Sequence, residues 1–235
     1  MTASLLGAVQ FLTIIPIHRE TAPLGRSAVF FPLVGAAIGV AGAIVFKTTG
    51  SPLLVLAFWA LLTGGLHEDG FADVADAFRA GRPAEKIHTI LKDSRIGAHG
   101  ALALIFSTLI RWQALTDIGI DAVPGLAVAQ ALPRAALVLL AWIAPPAGTG
   151  LGFHFSQTLS TPIAIMAIGQ GIIFALACGW RLGAILVAGS AAIVFLAARY
   201  FVRRIGGITG DCLGATAYMV ETFCLLVLTC QSCTL

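Results

Sequence analysis

Seven apolar segments, at about 28–46, 52–66, 98–116, 122–143, 160–179, 183–202 and 213–230, set the terms on which this chain can fold. Most approach the ~20 residues that a helix needs to cross a bilayer. Lipid offers no partners to backbone N–H and C=O groups, so each segment must close its hydrogen bonds within a helix. Composition agrees: 58% of the 235 residues are hydrophobic and 11% are charged, against about 25% charged in soluble domains. The sequence therefore predicts an all-α, polytopic integral membrane bundle of about seven spans plus short interfacial helices. Its even spread of apolar segments predicts one membrane-embedded domain over 1–235, with an acidic and basic loop at about 67–97. The stretch 5–17 has no basic residue before it and no small-residue cleavage site, so it is not a secretory signal; it is too short to span and predicts an interfacial or docked helix ending at Pro16. Gly35-x-x-x-Gly39, followed by Gly42, offers the first span a small-residue face for close packing. The five cysteines show neither zinc spacing nor a disulfide framework. Cys230 and Cys233 either pair at the C-terminus or are ordinary membrane-helix residues, and they carry no functional weight.

The net charge of +3 hides a strong pattern. Of the 14 basic and 11 acidic residues, 11 lie within 68–95. Acids interleave with the basic residues and no aromatic platform accompanies them, which argues against a nucleic-acid partner. Arg19 and Arg26 precede the first span, Arg79, Arg82, Lys86, Lys92 and Arg95 lie between the second and third, and Arg203 and Arg204 follow the sixth. With seven spans all of these share one side, which the positive-inside rule makes cytoplasmic. Lys47, Arg181, Asp117 and Asp121 fall on the other side. Three segments rich in Gly and polar residues, 64–97, 144–159 and 203–212, then gather on the cytoplasmic face. Polar chemistry collected on one face predicts an active site rather than a path through the bilayer.

The first of these segments carries Asp69, Asp73 and Asp76. On a helix these fall within roughly 60° of one another. One Asp there is accounted for by the helix macrodipole. Three on one stripe repel one another unless a cation sits among them, and hard carboxylate oxygens favour Mg²⁺ or Mn²⁺ bridged to substrate phosphates. His67 and Glu68 point elsewhere on an ideal helix; His67 is either a general base or an ordinary surface histidine. The stretch 83–91 predicts a short amphipathic helix on the membrane, begun by Pro83. In Lys92-Asp93-Ser94-Arg95-Ile96-Gly97, Asp93 or Ser94 either caps the third span or belongs to a catalytic, phosphate-binding group with Lys92 and Arg95.

The second segment, Pro145-Pro146-Ala147-Gly148-Thr149-Gly150-Leu151-Gly152, is a turn-forming loop whose amides suit an anion, although Gly-rich connectors are common. The third, 203–214, sets Arg203, Arg204, a Gly-rich loop, Thr209 and Asp211 at the start of the last span. Asp211 is either that helix's N-cap or a further metal ligand. Arg134, beside Pro133 in the fourth span, either binds a substrate phosphate or pairs with an acid for structure. Arg111 reads as snorkelling toward the outer surface.

Thr63-Gly64-Gly65-Leu66-His67-Glu68-Asp69-Gly70-Phe71-Ala72-Asp73, Lys92-Asp93-Ser94-Arg95-Ile96-Gly97 and Gly206-Gly207-Ile208-Thr209-Gly210-Asp211-Cys212-Leu213-Gly214 together resemble the signature segments of cobalamin synthase, adenosylcobinamide-GDP ribazoletransferase. The resemblance runs the length of the chain, from Gln10-Phe11-Leu12-Thr13 to Phe31-Pro32-Leu33-Val34-Gly35 and beyond; the loop from Ala147 is its loosest part. It implies a bacterial inner-membrane enzyme, with its site facing the cytoplasm, in the last stage of cobalamin assembly. That enzyme moves the cobinamide-phosphoryl group of adenosylcobinamide-GDP onto α-ribazole or α-ribazole 5′-phosphate, releasing GMP, with Mg²⁺. The implied roles are metal binding for Asp69, Asp73, Asp76 and Asp211, substrate binding for Lys92, Ser94, Arg95, Arg134 and Thr209, and catalysis for His67, Glu68 and Asp93. The expected partners are the two small-molecule substrates, membrane lipid and a second copy of the chain, with no nucleic acid.

Two rivals make different demands. A CDP-alcohol phosphotransferase needs Arg soon after its Asp-Gly, where this chain has Phe71-Ala72-Asp73. A cation transporter predicts acids deep within spans, whereas the acidic stripe lies at a span end and no matching acid is expected at depth.

Overall fold

The computed structural model describes residues 1–79, 81–119 and 123–232. Asp121, expected on the outer face, and Cys233 lie outside the described residues. The described residues form helices joined by short turns: α1 (Thr2–Leu12), α2 (Leu24–Ser27), a 3₁₀ turn (Ala28–Phe30), α3 (Phe31–Thr49), α4 (Pro52–Thr63), α5 (Leu66–Ala77), α6 (Ala84–Ile90), α7 (Ala98–Ile118), α8 (Val123–Ile143), α9 (Leu151–Thr158), α10 (Thr161–Ala177), α11 (Trp180–Ile205) and α12 (Gly210–Ser232). The breaks are written locally. Gly50, at φ 65°, ends α3, and the Ser51 hydroxyl caps the next helix by accepting from the Leu54 amide at 3.4 Å, with Pro52 at its first position.

Five helices are long and apolar enough to cross a membrane: 24–49 (α2, the 3₁₀ turn and α3), α7, α8, α11 and α12. Counting α9 and α10, which meet at a 102° bend, as one broken span makes six. The expected seven are not found, and the second is the reason. Helix α4 has 12 residues, about 18 Å of helix against a hydrocarbon thickness of about 30 Å. It stops because Gly64 and Gly65 both take left-handed φ, at 64° and 67°, and the chain leaves the break as the acidic helix α5. Helix α1 forms as expected, but it ends at Leu12 rather than Pro16.

Helices α8 and α12 lie at the centre, with 78% and 67% of their spanning positions buried against 22% for α7 and 33% for α11. The small residues of α3 admit this packing. A methyl group on Gly35 would strike the Gln130 carbonyl of α8, one on Gly39 the Leu126 carbonyl, and one on Gly42 the Trp59 indole of α4. That indole donates to the Ile38 carbonyl at 3.1 Å.

The three polar segments come together at one end of the bundle. The loop after α8 pairs with the loop before α12: the Ala147 amide donates to Ile208 O at 2.8 Å, and the Ile208 amide to Pro145 O at 2.9 Å. Arg204, near the end of α11, donates to the Arg79 carbonyl at 2.9 Å and the Arg82 carbonyl at 3.2 Å, so it latches the turn after α5. The Gly25 amide, at the start of the first span, donates to the Thr158 hydroxyl of α9 at 3.1 Å.

Candidate active site

A cavity of about 450 Å³ opens where these loops meet. All three polar segments contribute walls: Leu66, His67, Asp69, His88, Leu91 and Lys92 from the first, 147–153 and Phe155 from the second, and Thr209–Asp211, Leu213 and Gly214 from the third. Phe11, Leu24 and Leu137 complete it. Three helix N-termini converge here. Gly70 of α5 packs against the Asp211 backbone, Gly214 of α12 against Leu66 O, and Gly152 of α9 against the Gly210 amide; any side chain at Gly70 or Gly152 would hold the helices apart. Unpaired amides and aligned peptide dipoles at such ends favour anions.

Two acids stand in the first turns of these helices, Asp69 in α5 and Asp211 in α12, and both line the cavity. Asp69 also lines a second, more open depression of about 560 Å³, together with Asp73, Ser94, Ile96 and the Gly64–Gly65 turn. Partial burial, followed by the charges of Asp69, Asp211 and Asp76, pushes Asp73 up to about 6. The three acids Asp69, Asp73 and Asp211 thus feel one another across the α5–α12 contact. Among the described residues no three carboxylate, imidazole or thiol groups converge closely enough to enclose a metal ion by themselves.

Asp76 stands apart from this group. Its two oxygens accept from the Gly97 amide at 2.7 Å and the Gly100 amide at 2.9 Å, so the carboxylate expected to ligate a metal caps α7 from a neighbouring helix. Neither residue expected to cap that helix does so. Asp93 accepts instead from the Arg95 amide at 3.1 Å and pairs with its guanidinium at 2.7 Å. Those bonds pull Asp93 down to about 2. The pair is solvent-exposed, and neither residue lines either cavity. Thr209, not Asp211, caps α12: its hydroxyl accepts from the Cys212 amide at 3.4 Å and donates to Asp211 at 3.3 Å.

Beneath the cavity lies a buried ionic chain that sequence reasoning missed. Glu221 of α12 is 3% exposed and pairs with Arg111 of α7 and, at 3.5 Å, with Arg134 of α8. Arg111 also reaches Glu68 of α5 at 3.3 Å and lies over the Tyr218 ring at 4.5 Å. Tyr218 bonds to Ser107 at 3.0 Å and stacks on Phe71. Arg134 also donates to Gln130, one turn back on α8. One correction follows: Arg111 is buried rather than snorkelling. Arg134, 1% exposed, makes the acid pairing that was one of its two expected readings, and Glu68 is engaged by Arg111. An acid does sit deep within a span, contrary to expectation, and it is paired with two arginines. His67 lies on this chain, 3% exposed, with Nε2 unpartnered. Burial first, then the charges of Arg134 and Arg111, hold its imidazole well below the ordinary histidine value, so it is neutral.

The family described as "Cobalamin-5-phosphate synthase" matches residues 4–229 of this chain. Curated relatives agree over nearly the whole length. An adenosylcobinamide-GDP ribazoletransferase from Ralstonia nicotianae is 36% identical, over 96% of this chain and 94% of its own. Proteins of the same name from Brevibacillus brevis and Geotalea daltonii are 35% and 36% identical, covering 95% and 94% of this chain and 96% and 94% of theirs. No solved structure matches.

Proposed function

The chain belongs to the cobalamin-5-phosphate synthase family, and we propose that it is an integral membrane transferase that moves the cobinamide-phosphoryl group of adenosylcobinamide-GDP onto α-ribazole or α-ribazole 5′-phosphate. The products are adenosylcobalamin, or its 5′-phosphate, and GMP. The acceptor's 3′-hydroxyl oxygen forms the new bond to the phosphorus that carries cobinamide. The bond from that phosphorus to the bridging oxygen breaks, GMP leaves with the oxygen, and the hydroxyl proton passes to a base. The observation that carries this reading is the meeting of Asp69 and Asp211 at one cavity, in the first turns of two helices whose N-termini abut.

The donor chemistry fits Mg²⁺. Asp69 and Asp211 present hard oxygens to one cavity and Asp73 lies close enough to be perturbed by both; Mg²⁺ characteristically takes one or two carboxylates and completes its shell with water and substrate phosphate, which accounts for the lack of a full protein cage. Bound there, Mg²⁺ would neutralise charge gathering on the pyrophosphate. The chain's own groups supply the rest. Helix N-termini and Lys92 hold the phosphates. The acceptor proton passes to His67 or to one of the acids at the cavity, and a loose phosphoryl-transfer transition state asks mainly for alignment and charge. The basic residues of the cavity end support a cytoplasmic orientation of the site in a bacterial inner membrane.

The test is turnover by purified protein in phospholipid nanodiscs, with adenosylcobinamide-GDP and α-ribazole, followed by mass spectrometry of the products. GMP and a corrinoid product should appear with Mg²⁺ and disappear with chelator. Asp69→Asn should lower kcat by at least about 100-fold. Release of GMP without metal would refute the metal role, and no GMP under any condition would refute the reaction.

A further inference from the structure

The site has two compartments, and Asp69 stands in the wall of both. Resting on the ribazoletransferase reading, we propose that the 450 Å³ cavity is the seat of the acceptor's benzimidazole base, and that the corrinoid nucleotide approaches Asp69 from the adjoining 560 Å³ depression.

Size is the first argument. A pocket of 450 Å³ lies at the nucleoside end of the usual range for small-molecule sites. A corrin macrocycle with its amide arms and attached nucleotide is several times larger and cannot enter. The depression beside it is the more open of the two, and it is bounded by Ser94, Ile96 and Leu104 of the segment entering α7. It gives a bulky molecule access to the same carboxylate.

The character of the walls is the second argument. The cavity's lining includes Phe11, Leu24, Leu137, Phe153 and Phe155, beside the polar His67, His88, Lys92, Thr149 and Thr209 and the two acids. A dimethylbenzimidazole is an apolar bicycle with no exocyclic donor. Guanine, the other base in the reaction, carries an amide N–H, an amino group and a carbonyl, and none of these finds a partner on the aromatic part of the wall.

The third argument is an aromatic wall already in place. Phe11 stacks on Phe31 at 5.3 Å between centroids, and Phe31 on Phe155 at 5.8 Å, with interplanar angles of 15° and 24°. Phe31 and Phe155 are 0% and 2% exposed, so the column is held by the fold; Phe11 and Phe155 both line the cavity, Phe11 being the less buried. A flat base gains a rigid partner there at little ordering cost. With the base against these rings, its ribose lies toward Asp69, at the boundary between the compartments.

Initial-rate kinetics on the full-length protein in nanodiscs, with both substrates varied, test the assignment. Free 5,6-dimethylbenzimidazole should compete with α-ribazole and not with adenosylcobinamide-GDP, and guanosine should not compete with α-ribazole. Phe153→Ala, which removes a wall, and Leu24→Trp, which narrows the cavity, should each raise KM for α-ribazole on the order of tenfold or more. Both should leave KM for adenosylcobinamide-GDP within about twofold. Competition of the free base against the corrinoid nucleotide, or a rise in the corrinoid KM alone, would overturn the assignment. The inhibitor arm uses the unaltered chain, so it decides even where a variant fails to fold. Both outcomes are read with GMP release intact, which separates failure of this assignment from failure of the reaction.

Discussion

Removing the Glu221 carboxylate should cost this protein more stability than any other single polar substitution in its spans. In the structure Arg111 and Arg134 are both at least 95% buried and both pair with Glu221; Arg111 keeps Glu68 as a second acid, while Arg134 has only the neutral Gln130 besides. Glu221→Gln therefore leaves a guanidinium charge in the bundle centre with no counter-ion. Breaking a buried ion pair in this way costs about 3–5 kcal/mol, on the order of 10 °C in melting temperature for a chain of this size. The competing estimate treats Glu221 as an ordinary interhelical hydrogen-bonding residue, at about 0.6 kcal/mol per bond, which would shift melting by a degree or two per bond. The gap between the two estimates makes the experiment decisive. Melting of the purified protein, followed by intrinsic fluorescence in one detergent, would be compared for wild type, Glu221→Gln and the double variant Glu221→Gln, Arg134→Met. The single variant should melt far lower. The double variant should regain most of the loss, because Arg111 still has Glu68 and no charge is left alone. A single variant within about 1 kcal/mol of wild type, or a double variant no better than the single, would refute the reasoning.

Asp76→Asn should lower stability by about 1 kcal/mol through weaker capping of α7 while turnover persists, in contrast to Asp69→Asn; loss of all turnover in a variant that still folds would return Asp76 to the metal site. Asp73 gives a pH signature: its folded value of about 6 lies above the ordinary 3.8, so its contribution is fully present below about 4 and lost as pH rises through about 6. Melting scans in chelator should show this fall, Asp73→Asn should remove it and Mg²⁺ should flatten it, whereas superimposable scans with and without Mg²⁺ would count against an ion near that acid. Gly39→Leu should prevent close contact of α3 with α8, since even a methyl there strikes the Leu126 carbonyl; the expected result is loss of folded, monodisperse protein on size-exclusion chromatography, while an unchanged profile would show that the contact is dispensable.

The parts of this fold that the sequence makes legible are those set by neighbouring residues. Spans at 28–46, 98–116, 122–143, 183–202 and 213–230 were visible as apolar runs because lipid burial is a property of a run. The gathering of three polar segments at one end was expected on a count of seven spans; the structure brings them to one cavity with five or six. The second span failed because hydropathy does not register that Gly64 and Gly65 both turn left-handed, although consecutive glycines before an acidic helix were the available signal. The acidic stripe was legible as a stripe, but its division of labour was not. Spacing puts Asp76 beside Asp73, and only the approach of α7 supplies the Gly97 and Gly100 amides that occupy it.

The buried ionic chain shows why that limit is physical. Arg111, Arg134 and Glu221 each stand alone in an apolar stretch, and read singly they allowed snorkelling, phosphate binding or pairing with an acid, and no reading at all. Read together they carried a usable signal: two cations and one acid within spans cannot stay unpaired in hydrocarbon, so at least one pair had to form across helices. What the sequence withheld was which helices meet. Once α7, α8 and α12 converge on Glu221, Arg111 has a guanidinium edge left for Glu68, the residue next to Asp69. The same side chains that neutralise the bundle's interior therefore tether the first turn of α5, and the carboxylate proposed to act on the substrate sits on a helix anchored by charge from below and by α12 backbone from above.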